Sequence, residues 1–131
     1  MTREGKIDEA LKIVEAVYKE DVSQATAARL IALLYARQGK WDRAESTLTS
    51  AVDANPAHTG IRMTLADVLM NAKRYEDTDK ILSEIIQLEP DQWLHRARLA
   101  ELYTRLNRID DAELVLRNAV KANRDDEQRS L

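Results

Sequence analysis

The sequence predicts an all-α fold: an α-solenoid of antiparallel helix pairs, seven helices in one array. Three observations carry that expectation. The first is a period of 34 residues that runs through the chain without a gap. Gly5, Gly39, Lys73 and Asn107 share one position; two residues on stand Ile7, Trp41, Tyr75 and Ile109. Three further come the mostly small Ala10, Ala44, Thr78 and Ala112, and four beyond those the apolar Val14, Leu48, Leu82 and Leu116. A fixed period in the range of about 20–50 residues marks a stacked array of one supersecondary unit. The second is composition. Three Gly and two Pro in 131 residues leave little material for hairpins, and with no Phe the core must be built from Ala, Leu, Ile and Val. The third is that apolar residues between the turns recur at spacings of 3 and 4, the stripe of an amphipathic helix.

Taken in order, residues 7–20 put Ile7, Ala10, Leu11, Val14, Val17 and Tyr18 on one stripe, with Asp8 and Glu9 in the first turn. Negative charge suits a helix N-terminus, and Asp42, Glu76 with Asp77, and Asp110 with Asp111 repeat the placement. Its recurrence favours helix electrostatics over paired catalytic carboxylates. Ser23 is the expected N-cap of a helix over 24–37, whose inward residues are Leu30, Ile31, Leu34 and Tyr35. Gly39 ends that helix in a left-handed conformation. A helix over 41–54 then stops at Asn55-Pro56, because proline disfavours a helical residue before it. The unit repeats as helices 59–71 and 75–88, with a turn at Lys73 and a stop at Glu89-Pro90. Asp91 is the expected cap of helix 92–105, which turns at Asn107 into helix 109–122. Arg124 stands where the stop proline would fall, and residues 125–131 form a polar tail expected to fray. Connections this short force antiparallel neighbours.

Each unit resembles the tetratricopeptide repeat (TPR), a helix–turn–helix of 34 residues. Residues 25–58 supply Ala28, Ile31, Ala32, Tyr35, Ala44, Leu48, Ala51 and Pro56 at the family's pattern positions. Residues 59–92 supply Arg62, Leu65, Ala66, Leu69, Thr78, Leu82, Ile85 and Pro90. Residues 93–126 supply Arg96, Leu99, Ala100, Tyr103, Ala112, Leu116, Ala119 and Arg124. The departures are the missing Trp near the start of each unit, Thr78 and Ile85 at small positions, and Arg124 for proline. The resemblance implies a right-handed TPR superhelix of three whole repeats. Residues 1–22 read as the second helix of a truncated repeat, and 127–131 as a tail. In this register the chain is expected to be an excerpt of a longer TPR protein. Its texture is similar to long arrays of bacterial envelope or secretion systems, and the compartment, periplasm or envelope or cytoplasm, is left open.

The small positions have a physical reason, since two helices approach closely only where neither carries bulk at the crossing. Ala32, Ala66 and Ala100 against Ala44, Thr78 and Ala112 meet that need. Trp41 and Tyr75 share a core position, and Trp93 is expected to pack at a joint between repeats.

Chemistry is scarce. With no Cys there is neither a disulfide nor a thiolate nucleophile. His58 and His95 stand 37 residues apart, with no ligand cluster at metal spacing, and read as surface or packing residues. No phosphate loop or nucleophile–base pair is present, so no catalytic residue, cofactor or metal is expected. Net charge is −3, which gives no electrostatic case for nucleic acid. No apolar run approaches the ~18 residues needed to span a bilayer, so this segment is not expected to insert.

The expected function is non-enzymatic: a protein–protein interaction scaffold. By resemblance, the first helix of each unit lines a concave groove that holds an extended peptide or partner helix. The candidate groove residues are Arg29, Leu33 and Arg37; Met63, Asp67, Met70 and Asn71; and Arg98, Glu101 and Arg105. Thr26, Leu30, Ala36, Gly60, Thr64, Leu94, Ala97 and Thr104 complete the same positions. Leu33, Met63 and Met70 offer an apolar strip, and methionine surfaces adapt readily to peptides. The two-carboxylate clamp of chaperone-binding TPR proteins maps to Arg29, Leu33, Thr64, Leu94 and Arg98, where both Asn and one Lys are lost, and is rejected. Two other readings are the recognition arm of a larger enzyme, such as a TPR-bearing glycosyltransferase, and an RNA-processing relative. The stripe Ile7, Leu11, Val14 and Tyr18 at one end, and Val115 and Leu116 at the other, are expected to lie partly uncovered and to drive self-association.

Overall fold

The structure, a computed structural model, describes residues 2–130, with side chains to residue 124. Seven helices and no strands occur among them: α1 (Arg3–Glu20), α2 (Ala25–Arg37), α3 (Trp41–Ala54), α4 (Thr59–Asn71), α5 (Tyr75–Leu88), α6 (Trp93–Arg105) and α7 (Ile109–Ser130). They fall into two compact units, Met1–Arg74 and Tyr75–Leu131.

In the first unit α1 packs on α2, α2 on α3 and α3 on α4, and α2 also meets α4. Leu11 and Val14 of α1 and Ala27 and Ile31 of α2 form one buried cluster, flanked by Ile7, Tyr18, Leu34 and Tyr35. The expected uncovered stripe of α1 is therefore largely covered. The exposed apolar residues of this helix are instead Ile13 and Val17, because α2 packs against the other face. Leu30, expected to point inward, is exposed; Ala27, Ala28, Ile31 and Ala32 make the inner face of α2. Ala32 and Ala44 are both fully buried, as close packing of α2 on α3 requires. Trp41, expected in the core, is half-buried.

In the second unit α5 packs on α6 and α6 on α7. Ala100 and Ala112 are buried where α6 and α7 pack, and Thr78, Leu82, Ile85, Leu99, Leu102 and Ala119 are buried as well. Tyr75, expected in the core, is half-buried, and Trp93, expected to pack at a joint between repeats, keeps about half of its surface exposed.

The turns after α2, α4 and α6 share one geometry. Gly39, Lys73 and Asn107 have φ of 73°, 63° and 59°. In each case the next amide reaches back six residues inclusively: Lys40 N–H donates to the Tyr35 carbonyl (2.9 Å), Arg74 to Leu69 (2.9 Å) and Arg108 to Tyr103 (2.8 Å). These are Schellman closures, which use helix carbonyls that would otherwise lack partners.

The caps differ from expectation. Ser23 does not cap α2, because its hydroxyl and amide both donate to Asp21 Oδ1 (2.6 and 3.0 Å). Those bonds hold the Asp21 carboxyl below its ordinary pKa, and Gln24 takes the N-cap position without a side-chain bond. Gln92, rather than Asp91, takes the N-cap position of α6, again without a side-chain bond. α1 begins before residue 7, since Thr2 Oγ1 accepts the Gly5 amide (3.1 Å) and the helix runs through Gly5. α7 continues to Ser130 instead of stopping near 122. With Arg124 in place of a proline, nothing local breaks it.

Candidate functional site

The surface that the sequence selects in the first unit is built on α2 and α4. Arg29, Leu33 and Arg37 recur every fourth residue along α2 and are all exposed. On α4 the matching row is Met63, Asp67, Met70 and Asn71; both methionines are half-buried, while Asp67 and Asn71 are exposed. Arg29 ties the rows together: its Nε donates to Thr64 Oγ1 at 2.7 Å. Thr64 is itself buried and donates to the Gly60 carbonyl at 3.1 Å. It supports the surface from beneath rather than lining it.

Gly60 leaves room for this arrangement. A Cβ there would stand 2.8 Å from His58 Cε1 and 3.6 Å from Arg29 Nη1. The His58 ring folds back to accept the Ile61 amide through Nδ1 (3.2 Å), capping α4, so its place is fixed. The guanidinium of Arg29 thus sits by the first turn of α4. Its terminal nitrogens make no hydrogen bond or ion pair among the described residues. Leu30 and Leu33 stand beside it, 46% and 47% exposed. A fixed cation next to half-open aliphatic side chains can accept a carboxylate and an apolar group from one ligand.

The remaining candidates, Arg98, Glu101 and Arg105, lie on α6 in the second unit. Arg98 is half-buried, and Arg105 faces Glu101 one turn away at 3.6 Å. His95 is buried on the same helix, with Nε2 2.8 Å from Glu89 Oε1, a packing contact and not a ligand set. No group of His, Cys, Asp and Glu suited to a metal occurs among the described residues, nor a helix long and apolar enough to cross a membrane.

Several anchoring contacts escaped sequence reasoning. Tyr35 Oη donates to Glu15 Oε1 (2.5 Å), and Tyr103 Oη to both oxygens of Asp79 (3.1 and 3.0 Å). The Tyr35 pKa is raised by that bond first, then by burial and the Glu15 charge. Burial leads for Tyr103, followed by the bond to Asp79. Arg108 lies over the Tyr103 ring at 4.3 Å, a cation–π contact, and donates to Asp111 at 2.8 Å. Arg62 and Arg96 stand where the repeat expects a large apolar residue, and each donates to the carbonyl of the proline six residues before it. That spacing, twice repeated, was a signal in the sequence.

Tetratricopeptide-repeat profiles match residues 3–58, 35–95 and 78–131. The chain belongs to the tetratricopeptide-repeat family. Solved TPR structures agree in fold. One titled "MamA MSR-1 C2" is 20% identical, with a TM-score of 0.70 over 97% of this chain and 71% of that one. MamA 41-end from Desulfovibrio magneticus RS-1 is 16% identical, with a TM-score of 0.73 over 92% and 68%. A further MamA crystal structure reaches 0.77 at 14% identity, over 95% and 68%. At such identities the likeness concerns the TPR fold alone. A search of characterised protein sequences found no match.

Proposed function

We propose that this TPR chain is a non-enzymatic interaction module whose α2–α4 surface takes an extended peptide or short helix with an acidic residue beside an apolar one. TPR arrays are protein-interaction scaffolds, and the repeat profiles support that general role along the chain. The observation that carries the finer reading is Arg29, held by Thr64 at 2.7 Å with its terminal nitrogens turned to no protein acceptor. A cation already fixed in place loses little freedom on meeting a carboxylate, and charge-assisted bonds are the stronger kind. Leu30 and Leu33 supply the apolar contact, and Met63 and Met70 can adapt to the side chain they meet.

A peptide selected on the intact chain and labelled with a fluorophore tests it by anisotropy titration. Arg29→Glu removes a charge-assisted bond worth about 1.5–3 kcal/mol, so affinity should fall at least about tenfold with helicity unchanged. Undiminished binding by that variant would overturn the reading.

A further inference from the structure

The second unit holds a small cavity of its own. α5 and α7 both pack on α6. Ile86 of α5 and Val115 of α7, with the buried Leu99 of α6, give the cavity its apolar part. Its volume is about 280 Å³. Three donor groups line the same space: the Arg96 guanidinium and the side-chain amides of Gln87 and Asn118. Arg96 uses only Nη1, on the Pro90 carbonyl, which holds the group in place. Its Nε and Nη2 meet no acceptor among the described residues, and the amides of Gln87 and Asn118 likewise have no partner there.

We propose that this cavity captures the C-terminal residue of a partner polypeptide, with its carboxylate on Arg96 and an aliphatic side chain against Ile86, Leu99 and Val115. Charge selects an anion, because Arg96 is the only charged side chain lining the cavity among the described residues. Asn118 stands one period of 34 residues after Glu84. The chain therefore has an amide here where the preceding repeat has a carboxylate, and nothing at that place on α7 neutralises Arg96. A held guanidinium flanked by two amide donors suits the two oxygens of a carboxylate. Ser83 completes the set. Its hydroxyl donates to Asp79 Oδ1 (3.2 Å), so its oxygen keeps lone pairs for the amide N–H of the terminal residue.

Size and charge together narrow the occupant. Drug-sized ligands fill pockets of about 300–1,000 Å³, so this cavity takes one residue rather than a longer segment. A residue inside a peptide would have to bring the chain both in and out, whereas a terminal residue enters once. A free amino acid has the same carboxylate and side chain but adds an ammonium, and no carboxylate lines the cavity to receive it. Asp79, behind Ser83, already accepts from Tyr103 at 3.1 and 3.0 Å and faces Arg108 at 3.8 Å. In a peptide the same nitrogen is a neutral amide, which Ser83 can accept. The residues belong to the second unit and those of the α2–α4 peptide face to the first, so each reading stands without the other.

Side-chain nitrogen resonances of the isotopically labelled intact chain test the proposal, with the tripeptide acetyl-Gly-Ser-Leu as probe. The free acid should shift the Arg96 Nε–H group and the side-chain amides of Gln87 and Asn118. The C-terminal amide of the same tripeptide should bind at least about tenfold more weakly, since it loses the charge-assisted bonds. Free leucine and acetyl-Gly-Ser-Lys should also bind more weakly than the probe. Arg96→Gln should lose the free acid. Because Arg96 also holds the Pro90 carbonyl, Asn118→Glu serves as a second variant at an exposed position. It sets a competing carboxylate beside Arg96 and should weaken the free acid at least about tenfold with helicity unchanged. Arg29→Glu should bind the tripeptide as the wild type does. Equal binding of acid and amide would overturn the proposal. So would free leucine binding as tightly as the tripeptide, undiminished binding by Asn118→Glu, or no shift of the three side chains at the highest soluble peptide concentration.

Discussion

Lys73 offers a clean test of the repeat geometry, because it occupies the same left-handed turn as Gly39 and Asn107 with a side chain ill suited to it. Its φ is 63°, and both its own amide and that of Arg74 are committed, to the carbonyls of Met70 (3.0 Å) and Leu69 (2.9 Å). The left-handed conformation costs an ordinary L-residue about 1–2 kcal/mol. Lys73→Gly removes that strain but gives the unfolded chain more freedom, an offset of about 0.4–1 kcal/mol. Net stabilisation of about 0.5–1 kcal/mol follows. Gly39→Ala is the mirror experiment. No atom lies within 4 Å of a Cβ built at Gly39, so the substitution reports backbone strain without a clash. It should destabilise by about 1 kcal/mol or somewhat more. Asn107→Gly should change little, since asparagine tolerates the conformation. Urea denaturation followed by circular dichroism reads all three. With a slope of about 1–3 kcal/mol/M, Lys73→Gly should raise the midpoint by a few tenths of a molar. A lowered midpoint for Lys73→Gly, or a raised one for Gly39→Ala, would refute the argument.

Overpacking gives a second prediction. Ala44→Leu puts three extra carbons into a position with no exposed surface and should cost at least about 1–3 kcal/mol, whereas Ala54→Leu, at the exposed end of α3, should be nearly neutral in the same melt. A third concerns alkaline pH. Tyr35 and Tyr103 have raised pKa values when folded, so above about pH 10 the folded state holds more protons than the unfolded state. Stability is then fully present below the unfolded tyrosine pKa and is lost as pH rises through the folded one. A chain carrying Tyr35→Phe and Tyr103→Phe should show a flatter loss above pH 10, and parallel curves would contradict the assignment. A fourth concerns the support of Arg29. Thr64→Val removes its acceptor and should weaken peptide binding less than Arg29→Glu does, which calorimetric titration of both variants would check.

Much of the fold was legible because the repeat supplies its own controls. α2 to α6 fall within a residue of their expected bounds, and Lys73 was readable as left-handed only because Gly39 and Asn107 share its place. Buried Ala32, Ala44, Ala100 and Ala112 were legible for the same reason. What escaped depends on partners distant in sequence or on local competition. Ser23 looks like a cap, but Asp21 two residues earlier takes both its hydroxyl and its amide. Leu30 looks inward from its own stripe, yet the smaller Ala27 and Ala28 fill the inner face of α2. The candidate groove residues could be named from the repeat register. The bond from Arg29 to Thr64 spans 35 residues, one more than the repeat, and no local pattern encodes it.

The most direct test of the central claim is to map a bound peptide by amide chemical-shift perturbation on the isotopically labelled chain. Peptides selected from an unbiased library should shift Arg29, Leu33 and Arg37 on α2 and Met63, Met70 and Asn71 on α4, with enrichment of an acidic residue beside an apolar one. Perturbations confined to the outer face of α3, around Asp42, Glu45, Ser46 and Thr49, with α2 and α4 unmoved, would contradict the account.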